Sequence, residues 1–182
     1  MKRVAQFLLF ALVALCTTAY AADQPGKAGI ASQHFLATEA GHEILAKGGN
    51  AFDAAVAMAA VLAVVEPTSS GLGGGGFWML HRAEDNFQVM IDARETAPAA
   101  AHRDMYLDED GEFKRDLAVN GPLAGGIPGE VAGMEHLATN YGRLPLAESL
   151  QPAMRIAREG FALDKKFHTL MGWRIDNIKR WP

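Results

Sequence analysis

The sequence predicts a mixed fold of helices and strands, of the α/β (α+β) class, and three features carry that prediction. Two helical patterns stand back to back at residues 36–47 and 51–65. A hairpin pattern follows at residues 77–82 and 87–92. Two more helical patterns occupy residues 130–140 and the stretch from Leu146 to Gly160. The chain has 182 residues, enough for one domain with a sizeable core. Hydrophobic residues make up 49% and charged residues 21%, which excludes a globally disordered chain.

The first stretch reads as a targeting segment. Lys2 and Arg3 form a positive n-region, Phe7 to Cys16 an apolar h-region, and Ala19-Tyr20-Ala21 places small residues where a signal peptidase reads them. Cleavage is expected after Ala21, leaving a mature portion of residues 22–182 and a periplasmic or secreted destination. The apolar run is too short for a stable membrane span, and Leu15 before Cys16 argues against a lipoprotein signal. Without residues 1–21, 15 basic residues face 21 acidic ones, a net charge of −6. That balance argues against nucleic acid as a partner. The single cysteine, Cys16, leaves with the signal. The mature chain therefore has no thiol for a disulfide, a nucleophile or a thiolate metal site.

Small residues follow, and Lys27 to Ser32 is expected to form a short first strand. In the helix over 36–47, Ala37, Ala40, Ile44 and Leu45 share a face. Gly48-Gly49 ends it. Asn50 caps the next helix, and Asp53 suits the positive end of the helix dipole. Residues 51–65 are almost all Ala, Val, Leu and Met, so this helix is expected to be buried on every side. Glu66-Pro67 breaks it and opens the run from Thr68 to Gly76. Gly71, Gly73 and Gly76 satisfy G-x-G-x-x-G, yet a dinucleotide fingerprint needs a strand before it and a helix after it. Here the order is reversed, and no Gly-Lys-Ser/Thr follows. The run is read as a place where backbones come close.

Residues 83–86 join the two hairpin strands. The acids Asp108, Glu109 and Asp110 form a solvated turn. Counted from Gly111 as the sixth position, a calcium loop would begin at Tyr106 and end at Leu117, neither of which is a ligand. In the helix over 130–140, Val131, Met134 and Leu137 share a face. Tyr141 to Pro145 is a helix-to-helix turn, and Pro152 is expected to kink or restart the helix after it. The segment from Trp173 to Pro182 is amphipathic and is expected to leave an apolar face uncovered. The six histidines share no ligand spacing, and no metal or organic cofactor is implied.

Chemistry concentrates at Asp92-Ala93-Arg94-Glu95-Thr96-Ala97-Pro98, where the second hairpin strand ends. A guanidinium offers a planar fork that matches a carboxylate bidentately. Asp92 and Glu95 are expected to hold that fork. The plainer alternative, on these residues alone, is a surface ion pair. In a hairpin the end of the second strand lies beside the start of the first, so Arg94 is expected to sit next to the glycine run.

Several stretches, taken in order, resemble the gamma-glutamyltransferase (glutathione hydrolase) family. They are residues 37–41, 48–57, 73–77, 92–98 and 126–129, then Tyr141-Gly142, Gln151-Pro152-Ala153 and Glu159-Gly160-Phe161. The resemblance implies an N-terminal-nucleophile hydrolase, a four-layer αββα sandwich, of which this chain is an incomplete N-terminal portion. It implies an exported precursor that cuts itself into a large and a small subunit. The new N-terminal threonine attacks a γ-glutamyl amide such as glutathione, and water or an acceptor amino acid or peptide resolves the acyl-enzyme. Arg94 matches the arginine that binds the α-carboxylate of the γ-glutamyl group. The nucleophilic threonine and the small-subunit partner belong to a part of the family pattern that this chain does not match, so no catalytic residue is assigned here and the isolated chain is expected to be inactive. A truncated non-catalytic binding protein and a related acylase of the cephalosporin or glutaryl type are the alternatives. Residues 22–182 expressed alone are expected to be unstable or to aggregate, because part of a layered sandwich leaves strand edges and an apolar face open. A cooperative melt of a soluble monomer would overturn that expectation.

Overall fold

The computed structural model describes residues 28–180. The expected signal segment, Lys27 of the expected first strand and Trp181-Pro182 lie outside the described residues. The helices are α1 (Phe35–Ala46), α2 (Ala51–Val65), the short α3 (Arg115–Val119), α4 (Glu130–Tyr141), α5 (Leu146–Glu159) and α6 (Lys165–Arg180). The strands are β1 (Gly76–Arg82) and β2 (Phe87–Ala93), and a 3-10 turn covers Pro122–Ala124.

Local chemistry explains where α1 and α2 begin and end. His34 caps α1, its Nδ1 accepting the Leu36 N–H at 3.2 Å. Gly48 takes φ +92°, a conformation that costs a side-chain-bearing residue dearly, and reverses the chain. Asn50 and Asp53 form a full capping box. The Asn50 side chain accepts from Phe52 and Asp53 N–H, and Asp53 accepts from the Asn50 N–H at 2.8 Å.

Asp53 does more than cap. It is fully buried, and its carboxylate also accepts the N–H groups of Arg143 at 2.9 Å and Leu144 at 3.4 Å. The Asn50 amide donates to the Tyr141 carbonyl at 2.6 Å. The start of α2 is thus fastened to the turn between α4 and α5. A buried carboxylate without a salt-bridge partner is tolerated when several N–H groups and a helix N-terminus face it.

Alanines make the helix packing close. Ala37 and Ala40 of α1 meet Val56, Ala60 and Val61 of α2, and Met134, Leu137 and Ala153 close the cluster from α4 and α5. Only one side of α2 is fully buried. Ala55, Met58, Ala59, Leu62 and Val64 remain half-buried, which corrects the expectation of burial all round. The neighbouring helices cover one side, whereas Ala59 and Leu62 face an open groove.

The hairpin is antiparallel, with Phe77 opposite Asp92 and Arg82 opposite Phe87. Asn86 turns the chain at φ +54°, and Arg82 grips Asp85 through two bonds of 2.9 and 2.7 Å. Alternation divides the two faces. Leu80 and Ala93 are buried and Trp78, Val89 and Ile91 pack against the core, while Phe77, Met79 and Met90 are exposed on the other face.

Four further expectations are corrected. Residues 28–32 form no strand, since β1 and β2 are joined only to each other among the described residues and offer that segment no ladder. Val131 is 50% exposed, because Gly133, Met134, Leu137 and Ala138 supply the packed face of α4 instead. Pro152 does not restart its helix. It lies buried inside a continuous α5, where packing outweighs one missing backbone bond. The amphipathic segment starts earlier than Trp173, at Lys165, where Asp164 accepts the Phe167 N–H at 2.6 Å. Helix α6 has no buried residue, and its Trp173 is 74% exposed. Polar ties hold it, including Lys166 to Glu66 at 3.6 Å and Arg180 to Asp116 at 3.2 Å.

Removing the Asp53 acceptor should loosen the whole helical layer. Asp53→Ala is expected to cost about 3 kcal/mol, since buried N–H groups lose their partner. In the full-length protein the melting temperature should fall measurably. Asp53→Asn, which keeps one acceptor oxygen, should fall in between. Thermal melting that finds Asp53→Ala as stable as the parent would remove this clamp from the account.

Candidate functional site

The site is a corner at the end of β2 where three segments meet through their backbones. Residues 71–76 lead into β1, residues 93–96 leave β2, and residues 126–130 lead into α4. The Gly74 carbonyl accepts the N–H groups of both Gly129 and Glu130 at 3.1 Å. Thr96 and Ile127 exchange two bonds, of 3.1 and 2.8 Å. The chain passes so closely that a Cβ on Gly75 would stand 2.7 Å from Arg94 Cα, and one on Gly129 would stand 2.5 Å from the Arg94 carbonyl oxygen. Real atoms do not approach that closely, so both positions require glycine. Arg94 is held between these two glycines.

The side chains at the corner divide their work differently from the sequence expectation. Asp92 does not hold the guanidinium. Its Oδ1 accepts the backbone N–H of Arg94 at 3.0 Å, because a carboxylate two residues back turns naturally onto the chain that follows it. Glu95 does hold the guanidinium, accepting Arg94 Nε at 3.0 Å. Arg94 Cζ lies 5.8 Å from the centre of the Phe77 ring, within reach of a cation–π attraction. The Arg94 side chain is 57% exposed. Among the described residues its terminal Nη pair has no hydrogen-bond partner.

Next to the corner lies an open groove of about 630 Å³, between the half-buried side of α2 and the glycine run. Thr68, Ser69, Ser70, Glu95 and Glu130 supply its polar groups, and Phe77 and Trp78 its aromatic ones. Its two carboxyls are shifted in opposite directions. Glu95 is held below the usual carboxylate range by its own backbone N–H and by the Arg94 guanidinium, with a further contribution from the Gly75 N–H. Glu130 is pushed up, first by burial and then by the charge on Glu95.

The hairpin placed Arg94 beside the glycine run, as its register requires. The sequence alone assigns no role at the corner to residues 126–130. Gly129 and Glu130 reach the corner across more than thirty residues of intervening chain, and no periodicity reports such a contact. The only signal for them was the run Gly126-Ile127-Pro128-Gly129 itself.

Comparison with known proteins agrees with this architecture. A sequence model of the family described as Gamma-glutamyltranspeptidase matches residues 37–182. The glutathione hydrolase proenzyme of Escherichia coli K12 is 46% identical over 135 residues, covering 74% of this chain and 23% of that one. The crystal structure of Helicobacter pylori gamma-glutamyltranspeptidase superposes with a TM-score of 0.83 at 38% identity, over 87% of this chain and 46% of that one. The cephalosporin acylase of Bacillus halodurans superposes with a TM-score of 0.69 at 29% identity, over 90% of this chain and 31% of that one.

Fold and likeness together define the N-terminal-nucleophile hydrolase fold, represented here by a part of its αββα sandwich. Within that class, the chain belongs to the gamma-glutamyltranspeptidase family. It spans under a quarter of the length of the E. coli proenzyme.

The close approach can be tested directly. Gly75→Ala is expected to cost about 3 kcal/mol, because backbone must move to admit a methyl group. Gly73, where a Cβ would meet nothing within 4 Å, is the control. Gly73→Ala should change stability by no more than about 0.5 kcal/mol. Equal effects of the two substitutions in denaturant titrations of the full-length protein would contradict the geometry.

Proposed function

We propose that this chain is the N-terminal portion of an exported enzyme that cleaves γ-glutamyl amides such as glutathione, with Arg94 binding the α-carboxylate of the γ-glutamyl group. One observation carries the reading. Arg94 is fixed at its backbone by two glycine approaches and at Nε by Glu95, while its Nη pair stays exposed and unengaged among the described residues. A fork with one edge held and the other open suits a planar carboxylate. Binding of that carboxylate places the γ-amide at a fixed distance from the corner, and orientation of this kind is a large part of catalysis.

The nucleophile in this reading is a threonine from the rest of the precursor, made N-terminal by self-cleavage. Its hydroxyl oxygen bonds to the amide carbonyl carbon, the C–N bond breaks, and the leaving amine takes up a proton. Water or an acceptor amine then releases the γ-glutamyl group. The E. coli relative is a glutathione hydrolase proenzyme, which supports the activity and a precursor with a second subunit. The signal pattern in residues 1–21 supports a periplasmic or secreted location. A second reading is an acylase that acts on a cephalosporin or glutaryl amide, favoured by the likeness to the Bacillus halodurans acylase. In that reading, too, Arg94 clamps a carboxylate.

Arg94→Lys keeps the charge but not the planar fork. In the full-length enzyme it should raise KM for a γ-glutamyl amide by about tenfold, the loss of one bidentate bond. An unchanged KM would remove Arg94 from the substrate site.

A further inference from the structure

We infer that Phe77 is a positioning residue, whose aromatic ring gives the Arg94 guanidinium a face to rest on and keeps its Nη edge turned to the substrate carboxylate. The inference rests on the reading of Arg94 as the carboxylate clamp.

Three observations carry it. The first is the register of the hairpin. Phe77 stands opposite Asp92, and Arg94, two residues further on, falls on the same side of the chain. A diagonal neighbour at that spacing is within reach of an aromatic and a long side chain. Gly75 lies against the Arg94 backbone and has no side chain to come between them. The Phe77 ring is thus the surface that the guanidinium meets, with Arg94 Cζ 5.8 Å from the ring centre. The second is that the ring is not spent on the core. Trp78 and Leu80 turn inwards, whereas Phe77 is 58% exposed and borders the groove beside the corner.

The third is a contrast within the same hairpin. At its turn end Arg82 lies over the Phe87 ring, with Cζ 5.0 Å from the centre. That fork is closed, because its Nε and one Nη bind Asp85 at 2.9 and 2.7 Å. At the corner the nearby Asp92 is turned onto the Arg94 backbone N–H instead. The ring stays with the arginine, and the Nη pair stays open among the described residues.

A cation–π attraction acts between a charge and the face of a ring. A carboxylate binds a guanidinium at its edge, through the N–H groups in its plane. The two contacts therefore do not compete, and the ring supports the arginine without using the donors that the substrate needs. Support of that kind, present before substrate arrives, appears in binding as preorganisation.

The test uses the full-length enzyme with two substrates, a γ-glutamyl anilide and the 4-aminobutyryl anilide that lacks the α-carboxylate. Phe77 is replaced by phenylalanines bearing one, two and three ring fluorines, which keep its shape but weaken the negative face of the ring. Phe77→Leu and Phe77→Tyr are measured beside them. For the γ-glutamyl anilide, KM is expected to climb with each fluorine to about three- to fivefold, with kcat within about twofold. Phe77→Leu should match the triply fluorinated enzyme, and Phe77→Tyr should restore KM to within about twofold of the parent. On an Arg94→Ala background the fluorines should change KM by less than about 1.5-fold, because the group they act through is gone. The substrate without the α-carboxylate should not distinguish the Phe77 series from the parent. The fluorinated series decides the matter if Phe77→Leu does not fold. KM that ignores fluorination, with KM raised in Arg94→Ala, would overturn the inference and leave the clamp standing. An equal loss on both substrates would also overturn it, as would a fluorine effect that persists without Arg94. An Arg94→Ala enzyme with normal KM would remove the clamp itself and the role of Phe77 with it.

Discussion

The corner depends on a steric constraint. Backbone lies against backbone on both sides of Ala93 and Arg94, and only glycine at 75 and 129 allows it. Hydrogen bonds then lock the approach. The Gly74 carbonyl takes the first N–H groups of α4, and Thr96 pairs with Ile127. Those N–H groups stand at a helix start, where the helix itself supplies no acceptor. The strand end, the glycine run and the start of α4 therefore form one rigid piece. A guanidinium mounted on that piece has little freedom below its Cβ.

The helical layer holds α4 in the place this constraint needs. Asp53 fastens the beginning of α2 to the turn after α4, and alanines along α1 and α2 keep the helices close. Helix α4 is thus fixed at both ends, by the corner at its N-terminus and by the Asp53 clamp just beyond its C-terminus. Met134, Leu137 and Ala138 bury its middle. The hairpin lies on this layer through Trp78, Leu80, Val89 and Ile91. Its other face, with Phe77, Met79 and Met90, is exposed. One covered face and one open face suit a sheet within a layered sandwich.

Charge at the corner is arranged in sequence along the chain. Asp92 turns back onto the backbone, Arg94 projects, and Glu95 returns to meet it. Glu130 adds a second carboxyl next to the glycine run, where burial and the charge on Glu95 both favour its protonated form. The groove therefore contains one carboxylate stabilised by its neighbours and one carboxyl disfavoured as an anion. The exposed Nη pair of Arg94 is the complementary cationic feature at the same corner.

Much of this was legible in the residues themselves. The Asn50 cap, the end of α1 at Gly48-Gly49, the hairpin and the four longer helices before Gly160 follow from periodicity and from turn and capping chemistry, which act within a few residues. The hairpin register also placed Arg94 beside the glycine run, because antiparallel pairing is local to its turn. Some features were not legible because they depend on what comes next to them in space. A helix of alanine and valine reads as buried all round, yet α2 is covered only where other helices meet it. Val131 follows the helical period but faces away from the core. Pro152 reads as a kink or a restart, and it lies buried inside a continuous α5. Asp53 reads as a cap, and its bonds to Arg143 and Leu144 appear only when the chain returns some ninety residues later. The sequence alone determined which residue types stand at the corner and that Arg94 ends a strand. Tertiary structure alone decided that Glu95 rather than Asp92 holds the guanidinium, and that Gly129 and Glu130 complete the site. The physical reason is that a carboxylate binds whichever donor the backbone brings within about 3 Å, and contacts between distant segments leave no periodic trace in the chain.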